Sequence, residues 1–283
     1  MKLKDIQGIF HKELDSIYGS DEVDSFFFIL IEHYYELPRI HLALHPDFSI
    51  TKEEQDPIFN ALDALKKERP IQYIIGNTSF YGLNFKVNDN VLIPRPETEE
   101  LVDWVIRDTK RINRHISIMD IGTGSGCIAI ALAKNLSNAS VYAMDVSKEA
   151  LEVAVSNAQL NDVRINFSEA DILNAKKDFP EFNTVVSNPP YVRHMEKEEM
   201  KNNVINNEPH LALFVDDEDP LIFYDAICKF CVNNLIEGGC LYFEINEYLG
   251  KQMVDLLQSY NYINIELKKD ISGRYRMLKA IKI

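Results

Sequence analysis

Along the first seventy residues the apolar positions recur at intervals of three and four: Ile6, Ile9, Phe10 and Leu14, then Val23, Phe26, Phe27, Leu30 and Ile31. That spacing places them on helix faces and predicts a small helical bundle without a strand. Pro38, the His45-Pro46-Asp47 turn and the Ser49-Ile50-Thr51 entry to a further helix punctuate it. From Gln72 the pattern changes to short runs rich in Ile, Tyr, Phe and Val. Turn signals at Gly76-Asn77 and Tyr81-Gly82 predict a hairpin there, linking two domains.

Beyond Pro94-Arg95-Pro96 the apolar pattern alternates between periods. It predicts a helix over 97–111, a strand over 116–120, a helix over 124–136, a strand over 140–144 and a helix over 148–160. Strands near Ile165 and over 184–187 follow, then a helix over 221–235 and a strand over 240–245. Such alternation predicts an α/β fold with a parallel doubly wound sheet, whose ligands sit at the carboxyl ends of the strands. The last segment departs from this rhythm, because 262–267 and 276–283 read as two strands joined by Asp270-Ile271-Ser272-Gly273. A terminal antiparallel pair fits a class I S-adenosylmethionine-dependent methyltransferase sheet better than a plain nicotinamide-binding one. The domain expectation is a helical substrate-recruiting domain over 1–70, a hairpin linker over 71–93 and the catalytic domain over 94–283.

Composition narrows the picture without changing it. With 283 residues and 46% hydrophobic content, the chain can bury one large core and a smaller one. The opening Met1-Lys2-Leu3-Lys4-Asp5 is charged, and no apolar run approaches the roughly 18–20 residues of a membrane span. A cytoplasmic protein is expected. The formal net charge of -14 opposes stable binding to nucleic acid, which depends on basic side chains displacing counterions. Of the four cysteines only Cys228 and Cys231 have metal-ligand spacing, and the helical pattern around them (Tyr224, Ile227, Leu235) places them in a core. Neither a metal nor a disulfide is expected.

Two segments carry the candidate chemistry. In the first, Ser117 to Ile121 is an apolar strand that runs into Gly122-Thr123-Gly124-Ser125-Gly126 and then a helix. Missing side chains let a ligand approach the backbone there, and a helix N-terminus offers unpaired N–H groups. The dinucleotide fingerprint would need a third glycine where Cys127 stands, which favours S-adenosylmethionine over a nicotinamide cofactor. Asp145 closes the next strand at the separation where such folds hold a ribose diol; it is equally placed to cap the helix beginning near Ser147. Asp171 and Ile172, after another short strand, are placed to meet an adenine, or Asp171 simply starts a helix.

The second segment is Asn188-Pro189-Pro190-Tyr191, at the carboxyl end of a buried-type strand. Two prolines stiffen the backbone and lack N–H donors, leaving carbonyls as acceptors. The Asn188 side-chain oxygen and the Pro189 carbonyl can receive the two hydrogens of a planar NH2 group and align its nitrogen with an electrophilic methyl. Tyr191 offers a face for a flat group. The plain alternative is a turn with a packing tyrosine. Glu97 and Thr98 read either as cavity-lining residues or as caps of the helix they begin, and Cys127 as a packed residue rather than a nucleophile.

Together with these segments, Arg69-Pro70-Ile71-Gln72-Tyr73-Ile74-Ile75-Gly76, Leu92 to Leu101, Glu208 to Phe214 and Gly238 to Ile245 resemble the peptide chain release factor glutamine methyltransferases. The resemblance runs from about Arg69 to the C-terminus; the helical N-terminal region matches in kind. It departs after Phe214, where Val215-Asp216-Asp217-Glu218-Asp219-Pro220 stands in place of the family's usual glycines. The resemblance implies methyl transfer to the glutamine amide of the Gly-Gly-Gln motif in release factors 1 and 2, with those factors as partners. By matching position it implies that Gly122, Thr123, Gly124, Ser125, Gly126, Asp145, Ile172 and Asn188 bind S-adenosylmethionine, and that Asn188 to Tyr191 bind the glutamine. Two other readings stay open: a nucleic-acid exocyclic amine methyltransferase of the N6-adenine type, because such bases present the same flat NH2, and a non-catalytic release-factor-binding module.

Overall fold

The computed structural model describes residues 1–174 and 178–283. In chain order the helices and strands are α1 (Leu3–Tyr18), α2 (Ser20–Tyr35), α3 (Ile40–Leu44), α4 (Lys52–Leu65), α5 (Ile71–Ile75), β1 (Asn77–Phe80), β2 (Leu83–Lys86), α6 (Pro96–Thr109), β3 (Ile116–Ile121), α7 (Cys127–Asn135), β4 (Ala139–Asp145) and α8 (Lys148–Leu160). They continue with β5 (Asn166–Glu169), β6 (Phe182–Ser187), β7 (Val192–Arg193), α9 (Asn202–Asn207), β8 (Phe214–Val215), α10 (Ile222–Asn234), β9 (Leu235–Glu244), α11 (Gly250–Ser259), β10 (Tyr262–Lys269) and β11 (Tyr275–Lys282). The chain divides into a unit of Met1–Gly76 with Lys201–Asn207, and a unit of Asn77–Met200 with Glu208–Ile283.

The first unit is helical, as its apolar spacing predicts. Leu3, Ile6, Phe10 and Leu14 on α1, Val23, Phe27, Leu30 and Ile31 on α2, and Ile58, Leu62 and Leu65 on α4 form one buried cluster. Thr51 begins α4 through a reciprocal cap with Glu54, which satisfies two backbone donors at the helix start. The run from Gln72, expected as the start of a hairpin, is helical through Ile75, because Ile71 turns inward onto this cluster.

The second unit holds a seven-stranded sheet in the order β10-β11-β9-β6-β3-β4-β5. β5, β4, β3, β6 and β9 run parallel, while β11 pairs antiparallel with both β9 and β10. The terminal antiparallel pair is therefore present. A helix the sequence reading did not include, α11, separates it from β9 and buries Gly250, Met253 and Leu257.

The β1–β2 hairpin belongs to this sheet-bearing unit rather than to a separate linker. Two side chains fasten it there. Glu99 on α6 accepts from the Tyr81 backbone N–H at the hairpin turn (2.8 Å), and the fully buried Asn157 on α8 exchanges hydrogen bonds with the Lys86 backbone N–H and carbonyl (2.7 and 3.0 Å). Cys228 and Cys231 lie buried on α10. Among the described residues no helix is long and apolar enough to cross a membrane.

Candidate active site

Sheet register decides which residues meet. Ile121 at the end of β3 lies opposite Met144 of β4 on one side and Ser187 of β6 on the other, and Ser187 lies opposite Phe243 of β9. The next residue of each strand therefore emerges along one carboxyl edge: Asp145, Gly122, Asn188 and Glu244. Strand order reverses direction around β3, the topological switch point at which open α/β sheets bind ligands. The Ser187 hydroxyl donates to the Ile121 carbonyl at 2.7 Å and locks β6 to β3 at this edge.

A single cavity covers that edge. Gly122, Thr123, Gly124, Ser125, Asp145, Ile172, Asn188, Pro189 and Pro190 line it, joined by Thr98, Asp171 and Leu211 among others. The glycine-rich turn is shaped locally. Gly122 and Thr123 donate their N–H groups to the Met144 carbonyl (2.9 and 3.0 Å), and Gly126 closes the turn onto Thr123 at 2.8 Å. Gly122, Gly124 and Gly126 all have positive φ, the region that side chains disfavour.

Asp120 lies fully buried beneath the turn, where its Oδ2 accepts from the Thr123 hydroxyl (2.6 Å) and the Ala129 N–H (3.2 Å). Burial pushes its carboxyl up to about 7, against those two donors. Asp145 accepts from the Gly124 N–H through Oδ2 and from the Ser147 N–H through Oδ1 (2.8 and 2.9 Å), so it braces the loop and the start of α8 while also facing the cavity. Burial raises its carboxyl above the usual range. Ser147 makes the side-chain cap of α8.

Two expected residues stand outside the cavity wall. Gly126 begins α7, and a Cβ there would lie 3.0 Å from Ile130 Cδ1 and 3.2 Å from Ala154 Cβ, so this glycine lets α7 approach α8. Tyr191 donates its hydroxyl to Glu244 Oε1 at 2.9 Å and packs against the core of the sheet, because that buried carboxylate holds its ring away from the cavity. Its carbonyl is taken by the Asn246 side chain at 3.0 Å. Asp171 lines the cavity and also accepts from the Leu173 N–H at 2.9 Å. Burial pushes the Cys127 thiol up to about 12, which leaves it unreactive at neutral pH.

The sequence reading missed Glu208, Asn157 and Glu244. Glu208 is buried and accepts from Arg95 (2.6 Å) and from the Ile93 N–H (3.2 Å), tying together two loops that line the cavity. Asn157 donates to the Ser125 carbonyl at 2.9 Å in addition to its contacts with β2, so it joins the hairpin to the cofactor turn. Glu208 and Glu244 stand in segments that carry the family resemblance, but nothing local assigns them or Asn157 a role, because each acts on a segment 30 or more positions away.

The cavity suits an adenosyl sulfonium: a glycine-rich backbone turn, a carboxylate beside it for a diol, an apolar wall at Ile172 and Ile128, and acceptors at Asn188 where the methyl would be delivered.

Comparison with known proteins points the same way. The family model described as Methyltransferase small domain matches residues 107–213, and that described as PrmC N-terminal domain matches residues 11–76. A release factor glutamine methyltransferase of Flavobacterium psychrophilum is 51% identical over 282 residues, 99% of each chain. Its counterpart in Bacteroides thetaiotaomicron is 40% identical, over 97% of this chain and 98% of that one. Among solved structures the fold is similar to the hMettl16 catalytic domain, with a TM-score of 0.55 and 17% identity over 80% of this chain and 82% of that one. With the cavity, the sheet order and full-length likeness in agreement, the chain belongs to the release factor glutamine methyltransferase family.

Proposed function

We propose that the protein transfers a methyl group from S-adenosylmethionine to the side-chain amide nitrogen of the glutamine in the Gly-Gly-Gln motif of release factors 1 and 2. The observation that carries this is the register of β3 and β6, which opens the glycine-rich turn and Asn188-Pro189 side by side into one cavity. The cofactor supplies an electrophilic methyl. Gly122 to Ser125 and Asp145 would hold its polar parts, and Ile172 would offer an apolar surface to the base.

Asn188 Oδ1 and the Pro189 carbonyl accept the two amide hydrogens. A delocalised amide nitrogen is a poor nucleophile, and two fixed acceptors favour its rehybridisation while holding it in line with the methyl. The N–C bond forms as the S–C bond breaks, and the nitrogen then loses a proton to solvent. No general base has to act before transfer. Pro189 is buried and lines the cavity.

Unit Met1–Gly76 is assigned the recruitment of the release factor, in a cytoplasmic setting, and the net charge of -14 argues against stable nucleic-acid binding. The test is incubation with release factor and labelled cofactor, read by mass spectrometry of the Gly-Gly-Gln peptide. Label should appear on that glutamine and vanish when it is replaced. Label persisting after replacement, or equal transfer to DNA or ribosomal RNA alone, would overturn the assignment.

A further inference from the structure

Behind Asn188 runs a chain of hydrogen bonds that the mechanism above leaves unused. The Asn188 side-chain nitrogen donates to Thr98 Oγ1 at 3.3 Å, the Thr98 hydroxyl donates to Glu244 Oε2 at 2.6 Å, and the Tyr191 hydroxyl donates to the other Glu244 oxygen. Thr98 and Glu244 are 2% and 1% exposed, so solvent does not substitute for these partners. The geometry points to Thr98 and Glu244 as positioning residues that decide which end of the Asn188 side-chain amide faces the cavity.

The reason lies in the count of hydrogens. An ionised carboxylate accepts and has nothing to donate. In that ionised form, which the Arg276 guanidinium favours, both hydroxyls that reach Glu244 give their hydrogen to it. Having done so, Thr98 Oγ1 can only accept from Asn188, and only the NH2 end of the amide can sit against it. The amide oxygen is thereby turned to the cavity. With the amide reversed, two lone pairs would oppose each other at Thr98, and an incoming substrate NH2 would meet a second NH2.

Three strand and helix ends cooperate in this. Glu244 closes β9, Thr98 stands in the first turn of α6, and Asn188 follows β6. Burial raises the Glu244 carboxyl above its usual range, and Glu97 on α6 adds to the rise. Thr98, Tyr191 and the Arg276 guanidinium on β11 oppose it, stabilising the ionised form. Tyr224 on α10 donates to the Glu244 backbone carbonyl at 3.0 Å and fixes the strand end itself. Glu244 touches no substrate; it acts through Thr98.

This inference rests on Asn188 as the clamp of the substrate amide. Its test compares Thr98→Val, which keeps the shape and removes the hydroxyl, with Thr98→Ser, which keeps the hydroxyl. With release factor and S-adenosylmethionine as substrates, Thr98→Val should lower kcat about tenfold, the worth of one hydrogen bond, while KM for the cofactor stays within about twofold. Thr98→Ser should return kcat to within about threefold of the unaltered protein. Should the valine variant fail to fold, Thr98→Ala removes the same hydroxyl and should show the same split between kcat and KM. Wild-type kcat in the valine or alanine variant, or a loss confined to cofactor KM, overturns the inference and leaves the proposed transfer standing. An unaltered protein that labels no release factor removes the proposed function, and this inference with it.

Discussion

The two walls of the cavity are held in different ways. The glycine-rich turn is built mostly from neighbours in sequence and from the adjacent strand: Asp120 accepts from Thr123 three residues on, and Gly126 closes onto Thr123. Asn188 instead depends on Thr98, 90 residues away along the chain, and through it on Glu244, 146 residues from Thr98. A wall shaped by its own backbone keeps its form wherever strand, turn and helix are intact. A wall oriented by remote side chains exists only once the sheet has closed. The difference teaches that binding the cofactor and orienting the substrate amide are separable properties of this molecule.

Asn188→Ala should break that pairing most sharply. Removing one acceptor from the nitrogen's position is expected to cost about 10²–10³ in kcat, by analogy with loss of a preorganised transition-state contact. Cofactor affinity, measured by calorimetry, should fall far less than kcat, because the turn does not need Asn188 for its shape and Asn188 supplies only one contact of the cofactor set. A parallel collapse of cofactor binding would show the two walls to be one.

Gly126→Ala should do the reverse. Its φ of +82° and the 3.0 Å approach to Ile130 make the added methyl costly, by about 2 kcal/mol, so thermal unfolding should shift down by several degrees. The turn it closes should bind cofactor less tightly, while bound enzyme transfers methyl at a near-normal rate. An unshifted unfolding midpoint would remove Gly126 from the packing of α7.

The remaining effect concerns Asp120 and is read against pH. Its folded-state carboxyl is raised to about 7 from 3.8, so the folded protein holds a proton that the unfolded chain has released between those values. This contribution to stability is fully present below the unfolded value and is lost as pH rises towards 7, with a slope of up to about 1.4 kcal/mol per pH unit. Asp120→Asn should flatten that part of the profile in denaturant unfolding measured from pH 4 to 8. An unchanged slope would mean that Asp120 is not the group responsible.

The same contrast separates what was legible from what was not. Strand-turn-helix around Gly122, the placement of Asp145 and the terminal strands could all be read from local pattern, since period and turn chemistry act over a few residues. The misreadings fell where tertiary packing overrides that pattern. Ile71 to Ile75 has β-rich composition yet is helical because Ile71 faces the bundle core, whereas α11 does carry helical spacing at Met253, Val254, Leu256 and Leu257, a signal the strand-to-strand reading passed over. Tyr191 was legible as part of the motif, but the buried carboxylate that draws its hydroxyl inward was not.

The sequence by itself determined the parallel sheet with its antiparallel end, the family resemblance, and the two segments that carry the chemistry. These follow from short-range periodicity, glycine and proline backbone limits, and the side-chain types present. Only the tertiary structure decided that Glu244, Thr98 and Asn188 form one chain, that Asn157 ties the hairpin to the cofactor turn, and that Gly126 serves packing instead of lining the cavity. Buried polar groups must find partners, and which partners are in reach is set by strand register and helix contacts that no local pattern encodes.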